Sequence, residues 1–336
     1  MHVCLAYESA LNCWRRIREC GRAHLELFLN ENCVPYSKGM VPSISASEAR
    51  EVAKRFSLSL PLRIEAPHGY RRSGTELCAF RCVPQAMDLK CRYAVDEELY
   101  LPEPELVYLQ MGEYLTTVEL IELGYELTSS FTIDSLEGKI SPSSSLLNLN
   151  RLAEMIDAVG TRGSRRARAA IKYILPGAES PAEIGLALKL LLPTRWGGFW
   201  FCGATLNPTV QLSRHAAALA GKERCRPDLL FEAIKYDVEY DGVEWHSSAE
   251  QRVNDLRRWQ ALRADGYIVR NITAQELNDI AAMTELAREI AVLQGRRLRI
   301  QSELFRDKQR DLFRSLQGSY KSVAGVAREG VCSVRQ

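Results

Sequence analysis

At 336 residues, with 46% hydrophobic and 26% charged side chains, the chain is long enough for two cores and too apolar for wholesale disorder. A net charge of +2 excludes no class of partner, because local patches decide nucleic-acid affinity and totals can hide them. The opening MHVCLAYESALNCWRRIREC has no apolar segment behind a basic one. The longest apolar run, 184–192, contains Lys189 and is too short for a bilayer, so a cytoplasmic protein without a membrane segment is expected.

The ten scattered cysteines read as reduced thiols rather than a disulfide framework. A zinc site at Cys78, Cys82 and Cys91 is disfavoured by the three-residue gap between the first two and the lack of a following histidine.

Residues 1–134 are expected to form a mainly helical α+β region. Helix signals cover 9–29, interrupted at Gly21, and resume after Ser47 as N-cap, with Arg50 and Glu51 in the first turn. Short strands are expected at 61–66 and 75–82, and two core helices in 105–127. The Ser-rich stretch 135–150 reads as a linker. A basic helical connector, 151–176, follows. It carries Arg162, Arg165, Arg166 and Arg168 on more than one helix face, which suits either a phosphate-contacting surface or a solvated helix.

Residues 177–295 read as an α/β domain, a sheet flanked by helices. Ser180, Pro181 and Glu183 make a capping-box helix start. Strands follow at 197–204 and 209–212, with Asn207-Pro208 as the turn between them, and then at 228–233 and 235–242. A long helix spans 247–266, then a strand at 267–272 and helix over 274–294. The tail, 296–336, holds ten basic residues against four acidic ones and is expected to be a basic helix, suited to nucleic acid or simply solvated.

The chemistry concentrates in Pro227-Asp228 and in 236–241. Alternation puts Asp237, Glu239 and Asp241 on one strand face and Val238 and Tyr240 on the other. Carboxylates crowded this way repel unless a cation or water lies among them, and such oxygen-rich clusters suit Mg²⁺ or Mn²⁺. His246, close by, can move a proton or orient a water. Asp255 and Arg258, at i and i+3 on the long helix, can pair, and the reading preferred is a brace for the strand carboxylates.

Taken together, SPAE, RPDLLF, VEYDGVEWH and QRVNDLRRWQALRADGYIVRNIT resemble the very-short-patch-repair (Vsr)-like branch of the PD-(D/E)XK nuclease superfamily. The resemblance covers about 115 residues. It implies a restriction-endonuclease-like mixed sheet, with Glu183 as the helix acid and Asp228, Glu239 and Glu183 as metal ligands. Asp241 and His246 would complete the site, and Arg252, Asp255 and Arg258 would support it. The family's usual strand lysine is missing, because Asp241 stands at that position. Lys235 lies on the same face two positions before Asp237, and His246 is the better candidate for the missing proton-handling role. More weakly, 9–15 and 101–127 resemble the abortive-infection (AbiEi-type) antitoxins.

The expectation is therefore a Mg²⁺- or Mn²⁺-dependent DNA endonuclease or nickase in defence or repair. Its rival is a catalytically inactive endonuclease fold acting as a DNA-binding, antitoxin-like regulator. DNA is the partner of both; the antitoxin resemblance adds a toxin or other protein, and cutting both strands would call for a homodimer.

Overall fold

The computed structural model describes residues 2–35, 41–67, 69–71, 73–82, 91–135, 137–241, 249–300 and 302–323. The chain is mixed α/β and divides into two compact units: Met1–Thr132 with Ile140–Ile174, and Ile133–Lys139 with Leu175–Gln336. No described helix is long and apolar enough to cross a membrane, and the described cysteines are free.

In the first unit the elements run β1 (Val3–Cys4), α1 (Tyr7–Glu19), α2 (Arg22–Glu31), β2 (Cys33–Pro35), α3 (Ala46–Phe56), β3 (Leu62–Ala66), β4 (Cys78–Cys82), β5 (Cys91–Ala94), β6 (Leu99–Pro102), α4 (Pro104–Met111) and α5 (Thr117–Thr128). After β7 (Phe131–Ile133) and β8 (Ile140–Pro142) come α6 (Leu149–Ala158) and α7 (Arg162–Ala170). One sheet has the order β1-β6-β5-β2, and β3 pairs in parallel with β4.

Gly21, at φ +98°, breaks the first helical stretch where expected. The cap of α3 is Ser45 rather than Ser47, because only Ser45 has a glutamate at N3: Glu48 returns a bond to the Ser45 N–H while Ser45 Oγ accepts from the Glu48 N–H.

The Ser-rich stretch is not a free linker from 140 onward. Ser143, Leu146 and Leu147 are buried, and the buried Arg18 guanidinium donates to Ser143 Oγ, Ser144 O, Ser129 O and Glu126 O. These serines serve as acceptors for a cation far away in sequence. The basic connector is likewise part of the first core. The Gly163 Cα side lies so close to α4 that a Cβ there would meet Leu109 O at 2.0 Å. Arg166 donates to the carbonyls of Gly112, Glu113 and Leu115, closing the end of α4.

In the second unit the order is α8 (Pro181–Leu191), β9 (Ala204–Leu206), β10 (Val210–Gln211), α9 (Arg214–Ala220), β11 (Arg224–Cys225), β12 (Leu229–Phe231), β13 (Tyr236–Asp241), α10 (Ala249–Ala264), β14 (Ile268–Thr273), α11 (Ala274–Asn278), α12 (Ile280–Leu293) and α13 (Glu303–Val323). The main sheet runs β14-β13-β12-β9. β9, β12 and β13 are successively antiparallel, and β13 is parallel to β14.

The expected hairpin around Asn207-Pro208 does not form. Asn207 takes φ +47° and sends the chain from β9 to β10, which pairs instead with β11 in a separate ribbon; 197–203 is not a strand. One face of the main sheet packs an apolar cluster of Leu230, Val269, Ala261, Leu262 and neighbours from α9 and α10. The described part of the expected tail is seated: Phe305, Leu312, Phe313 and Leu316 of α13 are buried, against α8 and the 3-10 turn Thr194–Trp196.

Candidate active site

The main sheet brings a polar row together at one end. Glu239 of β13 is in register with Asn271 of β14 on one side. On the other, Leu229 pairs with Val238, so Asp228 stands one step further on, opposite Glu239, and its Oδ2 accepts from the Tyr240 N–H at 2.8 Å. Asn207, next to Asp228 on β9's extension, donates its N–H to Asp228 O at 3.0 Å. The row is Asn207, Asp228, Glu239, Asn271: two acids between two amides, drawn from four strands.

Arg258 reaches this row from α10. Its Nη2 donates to Glu239 Oε2 at 2.6 Å and lies 3.7 Å from Asp255 Oδ1, while Nη1 donates to Arg226 O. Asp255 and Arg258 thus sit on one face of α10, and the stronger bond goes across to the strand. Glu239 Oε1 has no donor and is buried. Burial, then the charges of Asp228 and Asp237, push the Glu239 carboxyl well up.

Asp237, two residues back on the same face, is fully buried and neither oxygen meets a donor. Its neighbours in register are Leu230 and Val269, and burial raises its pKa too. Asp241, at the strand end, is exposed, so the three acids of one face divide into two buried and one solvated.

Glu183 is held chiefly by its own helix start. Ser180 Oγ accepts from the Glu183 N–H, but the carboxylate accepts from Ser180 Oγ and the Glu179 N–H instead of closing the expected box on Ser180's own N–H. Asn207 Nδ2 also donates to it, which ties the helix acid to the row. Burial, with Asp228 nearby, pushes Glu183 up to about 7. Asp228 is raised as well, again mainly by burial.

Lys235 adopts φ +46° and directs its ammonium to Asp265 O and the Tyr267 ring, away from the acids. His246 and the side chain of Arg252 lie outside the described residues. Of the basic helix, Arg166 is committed to carbonyls and Arg168 to Ile156 O and Asp157, while Arg162 and Arg165 are exposed.

Two members of the site, and the depth of a third, escape the sequence pattern. Asn207 resembles any turn asparagine, Asn271 any strand polar residue, and Asp237 differs from Asp241 only in which end of the strand the core covers. Among the described residues no three His, Cys, Asp or Glu side chains stand grouped to hold a metal ion. No family model, curated protein or solved structure matches this chain.

Proposed function

We propose that the second unit is a restriction-endonuclease-like domain that hydrolyses phosphodiester bonds of DNA with Mg²⁺ or Mn²⁺. The observation that carries the reading is Asp228 beside Glu239 on adjacent antiparallel strands, the latter with a buried oxygen that no donor meets. The main-sheet elements α8, β9, β12, β13, α10 and β14, with β14 parallel to β13, make a mixed sheet with flanking helices, which supports the reading.

The donor set fits a hard divalent ion, which keeps several waters and takes one or two protein carboxylates. Asp228 and Glu239 would hold it, and Glu183 stands nearby through Asn207. When bound, such an ion polarises a phosphate and lowers the pKa of an attacking water. The chain's own residues set the frame. Tyr240 N–H fixes one oxygen of Asp228 and Arg258 fixes one oxygen of Glu239, whose other oxygen meets no donor group. Asp241, solvated at the strand end, stands where a lysine would ordinarily handle a proton.

That substitution, and the turn of Lys235 away from the acids, favour a second reading: an inactive fold that binds DNA as a regulator. Supercoiled plasmid incubated with Mg²⁺ or Mn²⁺, wild type beside Asp228→Ala, separates them. Nicked or linear product that needs both metal and Asp228 is expected; metal-independent, salt-sensitive binding without product would replace the nuclease with the regulator.

A further inference from the structure

Away from the acids, the stretch between α8 and β9 holds an aromatic residue in an unusual state. Trp200 has φ +58°, a region that bulky L residues rarely occupy, and its side chain is 52% exposed. The flanking Phe199 and Phe201 are buried, so the chain turns its two phenyl rings inward and the indole outward.

The backbone there is clamped. The Trp200 N–H donates to Leu192 O at 3.0 Å, and Arg296 Nη1 donates to Trp200 O at 2.8 Å. Just before it, Gly198 passes so close to Leu192 that a Cβ would lie 2.1 Å from the Leu192 carbonyl oxygen. Strain of this kind persists where the surroundings over-determine it, and such outliers gather where a side chain is presented for use.

The chain beside it is cationic. Arg296 also lies over the Phe201 ring, and Arg297 and Arg299, one and three residues further along, are exposed, with no acidic residue between 294 and 300. Arg195 is exposed on the turn before Gly197. The patch lies far from the carboxylates: α8 starts beside them at Glu183 and ends at Leu191, about 12 Å along its axis, next to the residue that pairs with Trp200.

We propose that Trp200 and these arginines form a contact for single-stranded nucleic acid, one base stacking on the indole while Arg296, Arg297 and Arg299 meet the phosphates. Every base offers a π face, so such a contact is indifferent to sequence and strongly salt-dependent. It is independent of metal and of the acids, and it would hold a displaced or frayed strand beside the duplex on which the other end of the domain acts.

The test uses the full chain in EDTA with fluorescein-labelled dT12, read by anisotropy. Glycine accepts φ +58° freely, so Trp200→Gly is expected to leave the melting temperature unchanged or higher while weakening binding about tenfold. Trp200→Phe should stay within a few-fold of wild type. Arg297→Glu with Arg299→Glu should weaken binding and lower the salt slope by roughly 1.4. Asp228→Ala should bind as wild type does, so failure here is separable from failure of the nuclease reading. Equal binding by wild type and Trp200→Gly, or no binding by either, would overturn the contact. So would an unchanged affinity accompanied by loss of self-association in sedimentation, which would make the patch a protein interface.

Discussion

Each unit buries a strand glutamate that an arginine meets, Arg92 from β5 in the first and the half-buried Arg258 from α10 in the second, and the two pairs are finished differently. In the first, Arg92 donates to Glu65 Oε2 through Nε and Nη2, Gln110 Nε2 donates to Oε1 at 3.0 Å, and Gln110 Oε1 accepts from the Tyr7 N–H. The two side chains are 1% and 5% exposed, and both glutamate oxygens are matched. In the second, Arg258 meets one oxygen of Glu239, no donor group meets the other, and the Arg258 Nε has no partner; Asp237 beside them has only the Glu239 carboxyl, with which it can share a proton. Identical pair chemistry marks structure when every lone pair is answered and marks a site when some are left open, since a buried polar group without a partner is costly to keep for packing alone.

The largest expected effect breaks the closed pair. Arg92→Met should lower stability by about 3–5 kcal/mol in urea unfolding, because it removes both donors from one oxygen of a buried carboxylate. Arg258→Met should cost clearly less, as Glu239 can take a proton, and added Mg²⁺ or Mn²⁺ should recover part of the loss. Equal losses, with no recovery by metal, would erase the contrast.

A smaller effect has the opposite sign. Asp237→Val, matching the apolar Leu230 and Val269 beside it, should raise stability by about 1–3 kcal/mol at pH 7, measured by the same urea midpoints. A loss there would mean that the Asp237 oxygens are matched after all.

The smallest effect is a slope. Glu183, raised to about 7, keeps its proton in the folded chain where the unfolded chain has released it above about 4.5. Its contribution is therefore fully present below pH 4.5 and lost as pH rises through 7. The thermal midpoint should fall across that window, and Glu183→Gln should flatten the fall; an unchanged slope would mean that Glu183 does not hold that proton.

Much of this was legible in the sequence and some was not, for physical reasons. Period-two alternation in 236–241 identifies the acid-bearing face of β13, because strand geometry enforces it. It says nothing of depth, so Asp237 and Asp241 look equivalent although one is buried and the other solvated. The starts at α3, α8 and α10 were legible to within two residues, whereas α9 was not foreseen and the tail helix begins at Glu303 rather than 296; the choice between Ser45 and Ser47 turned on which one has glutamate at N3. Asn207-Pro208 carries the composition of a hairpin turn, yet the residue's left-handed φ and its bond to Glu183 make it a junction between sheets. The serines near 143 and the arginines of α7 take their meaning from Arg18 and from the end of α4, partners that no local window contains.

One feature of α8 bears on where the domain can be cut. Lys189 is 1% exposed, its ammonium donates to Leu277 O at 2.8 Å and lies over the Phe313 ring, and burial lowers its pKa to about 8. Phe313 belongs to α13, whose backbone at Lys308 lies 2.3 Å from where a Cβ on Gly197 would sit. A fragment ended at 295, where the sheet's last flanking helix stops, would strip the aromatic roof from a cation inside the core and open the seat at Gly197. A piece that keeps these contacts extends through Leu316, so a helix rich in arginine and lysine serves as the domain's closing wall.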